Sequence, residues 1–176
     1  MRKKFTMLFA LLLACVGVMK AEVTGLPELT TDPENPIYYT IKNVRGGVFA
    51  AFAGQEGKMV LGATVDNPAY LFYFTAGAEG TYKIHNALST QKCAAYNLWN
   101  ADGIDWYIKV SENAEKPGYA ISTTDDLTQR KSWNNESNRN QAVAYWDGND
   151  LGSTWEFTKY EGDILTRSLT MSTTEN

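Results

Sequence analysis

Short runs of alternating apolar and polar residues recur along the chain, separated by turn-forming residues. Tyr39 and Ile41 alternate with Thr40 and Lys42, and Tyr82 and Ile84 alternate with Thr81, Lys83 and His85. That period of two is the signature of a half-buried strand. Further strands are predicted over Val48–Phe52, Met59–Leu61, Tyr70–Phe74, Lys92–Tyr96, Gly103–Val110, Tyr119–Ile121, Arg130–Trp133, Ala142–Tyr145 and Trp155–Phe157. Gly, Asn and Asp clusters such as Arg45-Gly46-Gly47, Asp66-Asn67-Pro68 and Asp147-Gly148-Asn149-Asp150 separate them. Beyond residue 21 no window keeps the i, i+3, i+4 apolar spacing of a helix. Many short strands at turn-bounded intervals of about 8 to 12 residues predict an all-β sandwich or barrel.

The strands also repeat as a group. Tyr39-Thr40-Ile41, Tyr82-Lys83-Ile84 and Tyr119-Ala120-Ile121 lead three passes, and Phe72, Trp106 and Trp155 close them. The leading tyrosines lie 43 and 37 positions apart and the closing aromatics 34 and 49, so the loops differ in length. Units of about 40 residues cannot each bury an apolar face, so the three must share one core. A four-bladed propeller would need a fourth copy, and no sequence is left for one. The layout over residues 37–160 resembles the β-trefoil, and among trefoils the ricin-type lectin-like family. That resemblance implies three four-stranded units about a pseudo-three-fold axis and a carbohydrate ligand. It stops short of the family's Gln-x-Trp motif: the corresponding triplets are Tyr70-Leu71-Phe72, Ile104-Asp105-Trp106 and Ser153-Thr154-Trp155. The family's sugar contacts therefore do not transfer position by position, and Trp106 and Trp155 are expected as core anchors.

Outside the repeats, Arg2, Lys3 and Lys4 precede an apolar run from Phe5 to Val18, with Ala21 before polar sequence. A basic start, short apolar core and small residue predict a secretory signal peptide over residues 1–21. Export to the envelope or outside of a bacterium follows, with lipidation at Cys15 the lesser alternative because Leu13 is bulky where small residues are usual. Residues 22–36, with three prolines, are expected as a linker, and 161–176 as a flexible tail.

Composition narrows the function. A net charge of −4 and an isoelectric point near 5.0 argue against nucleic acid. After the signal, no apolar stretch is long enough to span a membrane, and one compact domain, expected as a monomer, remains. Cys93 is then the one cysteine left, expected as a small core residue. His85, the only histidine, is expected at an outward strand position. No cluster has metal-ligand spacing, no cofactor motif occurs, and the turn-bound aspartates offer no defensible catalytic pair, so a non-enzyme is expected.

Sugars need a flat apolar face beside carboxylate or amide groups. Three groupings offer both: Trp99 with Asn100 and Asp102, Trp133 with Asn134, and Trp146 with Asp147 and Asn149. These are the candidate ligand-binding residues, and a glycan or glycoprotein the expected partner. A protein-binding trefoil (inhibitor-like or adhesion module) and an accessory domain of a larger glycan-degrading enzyme are the alternatives.

Overall fold

The computed structural model describes residues 25–55, 59–65, 67–112, 115–136 and 143–162. The expected signal peptide with Cys15, and the expected tail beyond residue 162, lie outside the described residues.

Among the described residues twelve strands form, and every pairing among them is antiparallel. They are β1 Tyr39–Asn43, β2 Phe49–Ala51, β3 Val60–Gly62, β4 Phe72–Ala76, β5 Tyr82–Asn86 and β6 Lys92–Ala95. β7 Leu98–Asn100, β8 Tyr107–Val110, β9 Tyr119–Ser122, β10 Ser132–Asn135, β11 Val143–Trp146 and β12 Trp155–Lys159 complete the set. Six of them close a ring. β4 runs beside β5, β8 beside β9 and β12 beside β1 over four or five residue pairs each. Single pairs complete the circuit: Tyr39 with Phe72, Tyr82 with Trp106 and Tyr119 with Trp155. Each pair joins a leading tyrosine to a closing aromatic. The ring leaves these strands no free edge.

The other six strands make three hairpins, β2–β3, β6–β7 and β10–β11. Backbone bonds tie them together at one end of the ring: Met59 donates to the Tyr96 carbonyl at 2.8 Å and Val143 to the Met59 carbonyl at 3.0 Å. Towards the opposite end, Phe74 packs edge-on against Tyr39, Tyr82 and Phe157, with Tyr119 beside Phe157.

The closing aromatics Phe72, Trp106 and Trp155 are fully buried, as expected. The two indoles each donate a hydrogen bond to a hairpin strand, Trp106 Nε1 to the Cys93 carbonyl and Trp155 Nε1 to the Trp133 carbonyl, both at 3.0 Å. Cys93 is buried as a small core residue, and burial pushes its thiol pKa up, away from nucleophilic use.

Ahead of two closing aromatics the chain makes a 3-10 turn, Pro68–Tyr70 and Leu151–Ser153. Each is capped by a side chain five positions before the aromatic: Asn67 accepts from Ala69 N, and Asp150 from Gly152 N. Before Trp106 that position is Ala101, which has no acceptor, and the segment stays irregular. Buried asparagines hold both turns in place. Asn86 Nδ2 donates to the carbonyls of Ala69 and Leu71, and Asn43 Nδ2 to those of Gly152 and Thr154.

Residues 25–36 differ from a loose linker. They turn over residues 32–35, Thr30 N donates to the Phe74 carbonyl at 2.7 Å and Glu28 N to the Tyr39 hydroxyl at 3.0 Å, and Pro27 and Thr30 are buried. The segment lies against the ring. Prolines deprived it of a periodic pattern, but not of backbone groups to pair.

The Asn43 amide bonds two carbonyls while its Oδ1 accepts from Gly46 N and Asn135 Nδ2. Asn43→Ala strands several buried groups and is expected to cost about 3 kcal/mol. Chemical denaturation measures this directly, and a loss under about 1 kcal/mol would contradict the account.

Candidate functional site

The polar network around Asn43 continues to the surface. Two residues along, Arg45 reaches Asp150, with Nη1 3.3 Å from Oδ1. It can do so because position 152 is glycine: a Cβ there would overlap the guanidinium. The same Asp150 Oδ1 accepts from Asn134 Nδ2 at 2.9 Å and Gly152 N at 2.8 Å, while Oδ2 accepts nothing among the described residues. Asn134 Nδ2 also donates to Ser153 Oγ at 2.9 Å. The result is a carboxylate held by three donors on one oxygen, with the other oxygen unused among the described residues.

This group borders a surface cleft of about 420 Å³, lined by Arg45, Asn134, Glu136, Ala144, Tyr145, Trp146 and Asp150. Trp146 ends β11 and keeps 41% of its surface exposed. The register explains the grouping. Ser132 faces Trp146 and Asn134 faces Ala144 across the hairpin, so alternate residues of both strands share the cleft side. The Tyr145 ring packs edge-on to Tyr96 with ring centres 4.6 Å apart, and burial pushes its pKa up to about 12. The Arg130 guanidinium lies 4.0 Å over the Trp146 ring, a cation–π contact that orients the indole.

The sequence-derived candidates separate on this geometry. Trp146 and Asn134 meet at the cleft. Asp147 sits at its edge and turns its carboxylate to Asn149 N, while Asn149 Oδ1 accepts from Glu112 N. Trp99 and Trp133 do not offer the expected stacking faces. Trp99 is 3% exposed on β7, edge-on to Phe52, and Trp133 is 0% exposed on β10, between Trp106 and Trp155. Both are strand residues packed inward, and their asparagine neighbours supplied the misleading polarity. Asn100 Oδ1 is engaged by the backbone of Asp102 and Gly103, with Asp102 exposed in that turn. Asp150 and Arg45 were missed. Asp150 stands five positions before Trp155, as Asn67 does before Phe72, and that cap spacing was a usable signal. Arg45 had none, because its partner is 105 residues away.

His85 is a second departure. It is 7% exposed, stacked on Tyr73 at 4.4 Å with Nε2 2.9 Å from Thr75 Oγ1. It bonds neither Cys93 nor an acid. Burial, with Lys92 and Lys83 nearby, pushes its pKa down to about 4. Among the described residues no group of three or more His, Cys, Asp and Glu could hold a metal ion, and no helix is long and apolar enough to cross a membrane.

No family model matches the sequence, and no curated protein does. Solved structures do. The Rhizoctonia solani agglutinin superposes with a TM-score of 0.59 at 14% identity, over 72% of this chain and 96% of its own. SeviL, solved with asialo-GM1 saccharide, superposes at 0.54 and 13% identity, over 71% and 98%. The GlcNAcα1-4Gal-releasing endo-β-galactosidase of Clostridium perfringens superposes at 0.57 and 13% identity. There the match covers 71% of this chain and 33% of that one. The fold is that of the ricin-type β-trefoil lectins. The resemblance read from the leading tyrosines and closing aromatics thus stands at the level of the fold.

Burial separates the tryptophans energetically. Trp133→Ala is expected to destabilise the protein by about 4 kcal/mol through lost burial and a cavity. Trp146→Ala, which removes an exposed side chain, is expected to stay within about 1 kcal/mol. Urea unfolding of the two variants tests the assignment, and equal losses would refute it. For His85 the sign follows from its depressed pKa. The unfolded chain takes up a proton near 6.5, whereas the folded chain waits until about 4, so stability is lost as pH falls through that window. The slope approaches ~1.4 kcal/mol per pH unit. Unfolding free energies at pH 7.5, 6.5, 5.5 and 5.0 should trace it, and His85→Gln should flatten it.

Proposed function

We propose that this protein is an exported, non-catalytic carbohydrate-binding module. In this reading it is built of three four-stranded units, each opened by a tyrosine strand and closed by an aromatic one. The observation that carries the binding assignment is the cleft at Trp146. Among the described residues Trp146 is the one aromatic side chain that is exposed, and it stands beside a carboxylate already fixed in position. A pyranose stacks its apolar face on the indole and donates a hydroxyl to Asp150 Oδ2, and Asn134 completes the polar edge. Because Arg45, Asn134 and the Gly152 amide hold Asp150 in advance, little side-chain ordering is left for binding. The three-donor grip makes Asp150 a fixed acceptor for a sugar hydroxyl. The fold shared with an agglutinin and with a protein solved with a saccharide supports the same reading.

One observation favours a protein partner instead. Trp146 with Arg130 stacked on it is an exposed Trp–Arg pair, a combination enriched at protein–protein hot spots.

The two readings part in a titration. Four of the five tryptophans are buried, so ligand-induced fluorescence change reports chiefly on Trp146. A panel of host and plant glycans that includes the asialo-GM1 saccharide is expected to give a saturable change. Trp146→Ala should weaken binding by tenfold or more, measured calorimetrically, equivalent to ~1.4 kcal/mol. Silence across the whole panel from folded protein would transfer the assignment to a protein ligand, and product release from any glycan would overturn the non-catalytic part.

A further inference from the structure

Resting on the glycan reading, we infer that the protein takes one glycan per chain and does not cross-link. A module of three like units could carry three sites, so the question is whether the parts seen at Trp146 recur. The hairpin registers allow position-by-position comparison. Ala50 pairs with Leu61, Cys93 with Trp99 and Trp133 with Tyr145. The next position along the second strand is Gly62, Asn100 or Trp146. The stacking platform is therefore present once.

The two other positions are closed as well as lacking an aromatic. At Gly62 the place of a side chain is taken by Tyr70, whose hydroxyl a Cβ would overlap. Asn100 turns its Oδ1 onto the amides of Asp102 and Gly103 at 3.1 and 2.6 Å, so it serves its own turn.

The polar parts fail to recur in the same way. Asn134, one residue beyond Trp133, corresponds to Ala51 and Ala94, neither of which has a hydrogen-bonding side chain. Asp150, five positions before its closing aromatic, corresponds to Asn67 and Ala101. Asn67 carries no charge and spends its Oδ1 on the Ala69 amide. Arg45, two positions past the Asn43 clamp, corresponds to Leu88 two past the Asn86 clamp, and Leu88 is 58% exposed. In the remaining unit that position is Asp125, occupied with Lys109. Platform, acceptor, amide and positioning cation coincide only where β10 and β11 meet the Arg45 turn. Each is absent or differently engaged at both other places.

Valency has a direct readout. The probe is the panel saccharide with the tightest Trp146-dependent response, used free and as a multivalent polyacrylamide conjugate. Calorimetry with the free saccharide should give one site per chain, and the conjugate should form no precipitating lattice with monomeric protein. Tyr70→Ala and Asn100→Ala should leave stoichiometry and affinity within twofold of the parent protein. Two or three sites per chain, precipitation of the conjugate, or loss of binding in either of those variants would overturn the single-site inference while leaving the glycan reading intact. No response to any saccharide would remove both.

Discussion

A closed ring of strands must bring the end of the chain back against its beginning, and in this protein the Asn43 amide fixes that seam. Strand β1 runs beside β12 for its whole length, and the amide then reaches past the strand to two carbonyls of the turn that precedes β12. A clamp of this kind is worth more than its hydrogen bonds alone, because both carbonyls lie where water cannot replace it. Asn86 does the same work elsewhere in the ring. Only at the seam does the held turn carry an acid, and only there does an arginine follow the clamp closely enough to meet it. The candidate site is thus a consequence of chain closure.

The shared interior explains how the three hairpins came to differ. Ala50, Cys93 and Trp133 occupy corresponding positions, yet only the last is large. Interiors are packed to a nearly constant density, so one bulky side chain in a shared core leaves less room for the others. Trp133 fills the centre against Trp106 and Trp155, and alanine and cysteine are what remain for the other two hairpins. Sequence symmetry at the strands and asymmetry in the core are therefore compatible. The asymmetry frees β10 and β11 to carry polar and aromatic residues outward that their counterparts lack.

Much of the architecture was legible because strand alternation and closing aromatics are local signals. Tyr39, Tyr82 and Tyr119 announce their strands, and Phe72, Trp106 and Trp155 are buried as their equivalent placement required. What misled was polarity. Asn134 follows the predicted strand and reads as polar, yet it and Asn135 are buried on β10, where their amide nitrogens bond Asp150, Ser153 and Asn43 from distant parts of the chain. Those partners cannot be found by looking at neighbours. The same cause turned Trp99 and Trp133 into apparent surface groups and hid Arg45 altogether. His85 failed differently: strict alternation set it outward, but stacking on Tyr73 covers the outer face of that strand. Trp146 is exposed where the sequence places it, at a strand end followed at once by the Asp147-Gly148 turn.

This distinction bears on what kind of ligand suits the cleft. A sugar offers many hydroxyls of nearly equal polarity, each already well hydrated, so a site gains little from flexible side chains that must be ordered on binding. It gains from groups whose orientation was settled by folding. Asp150 is such a group, since one oxygen is held by Arg45, Asn134 and a backbone amide. Trp146 is another, restrained by Arg130. Both depend on long-range contacts that a free loop could not maintain. On the glycan reading, side chains fixed by folding, rather than any single motif, would give so small a cleft its selectivity.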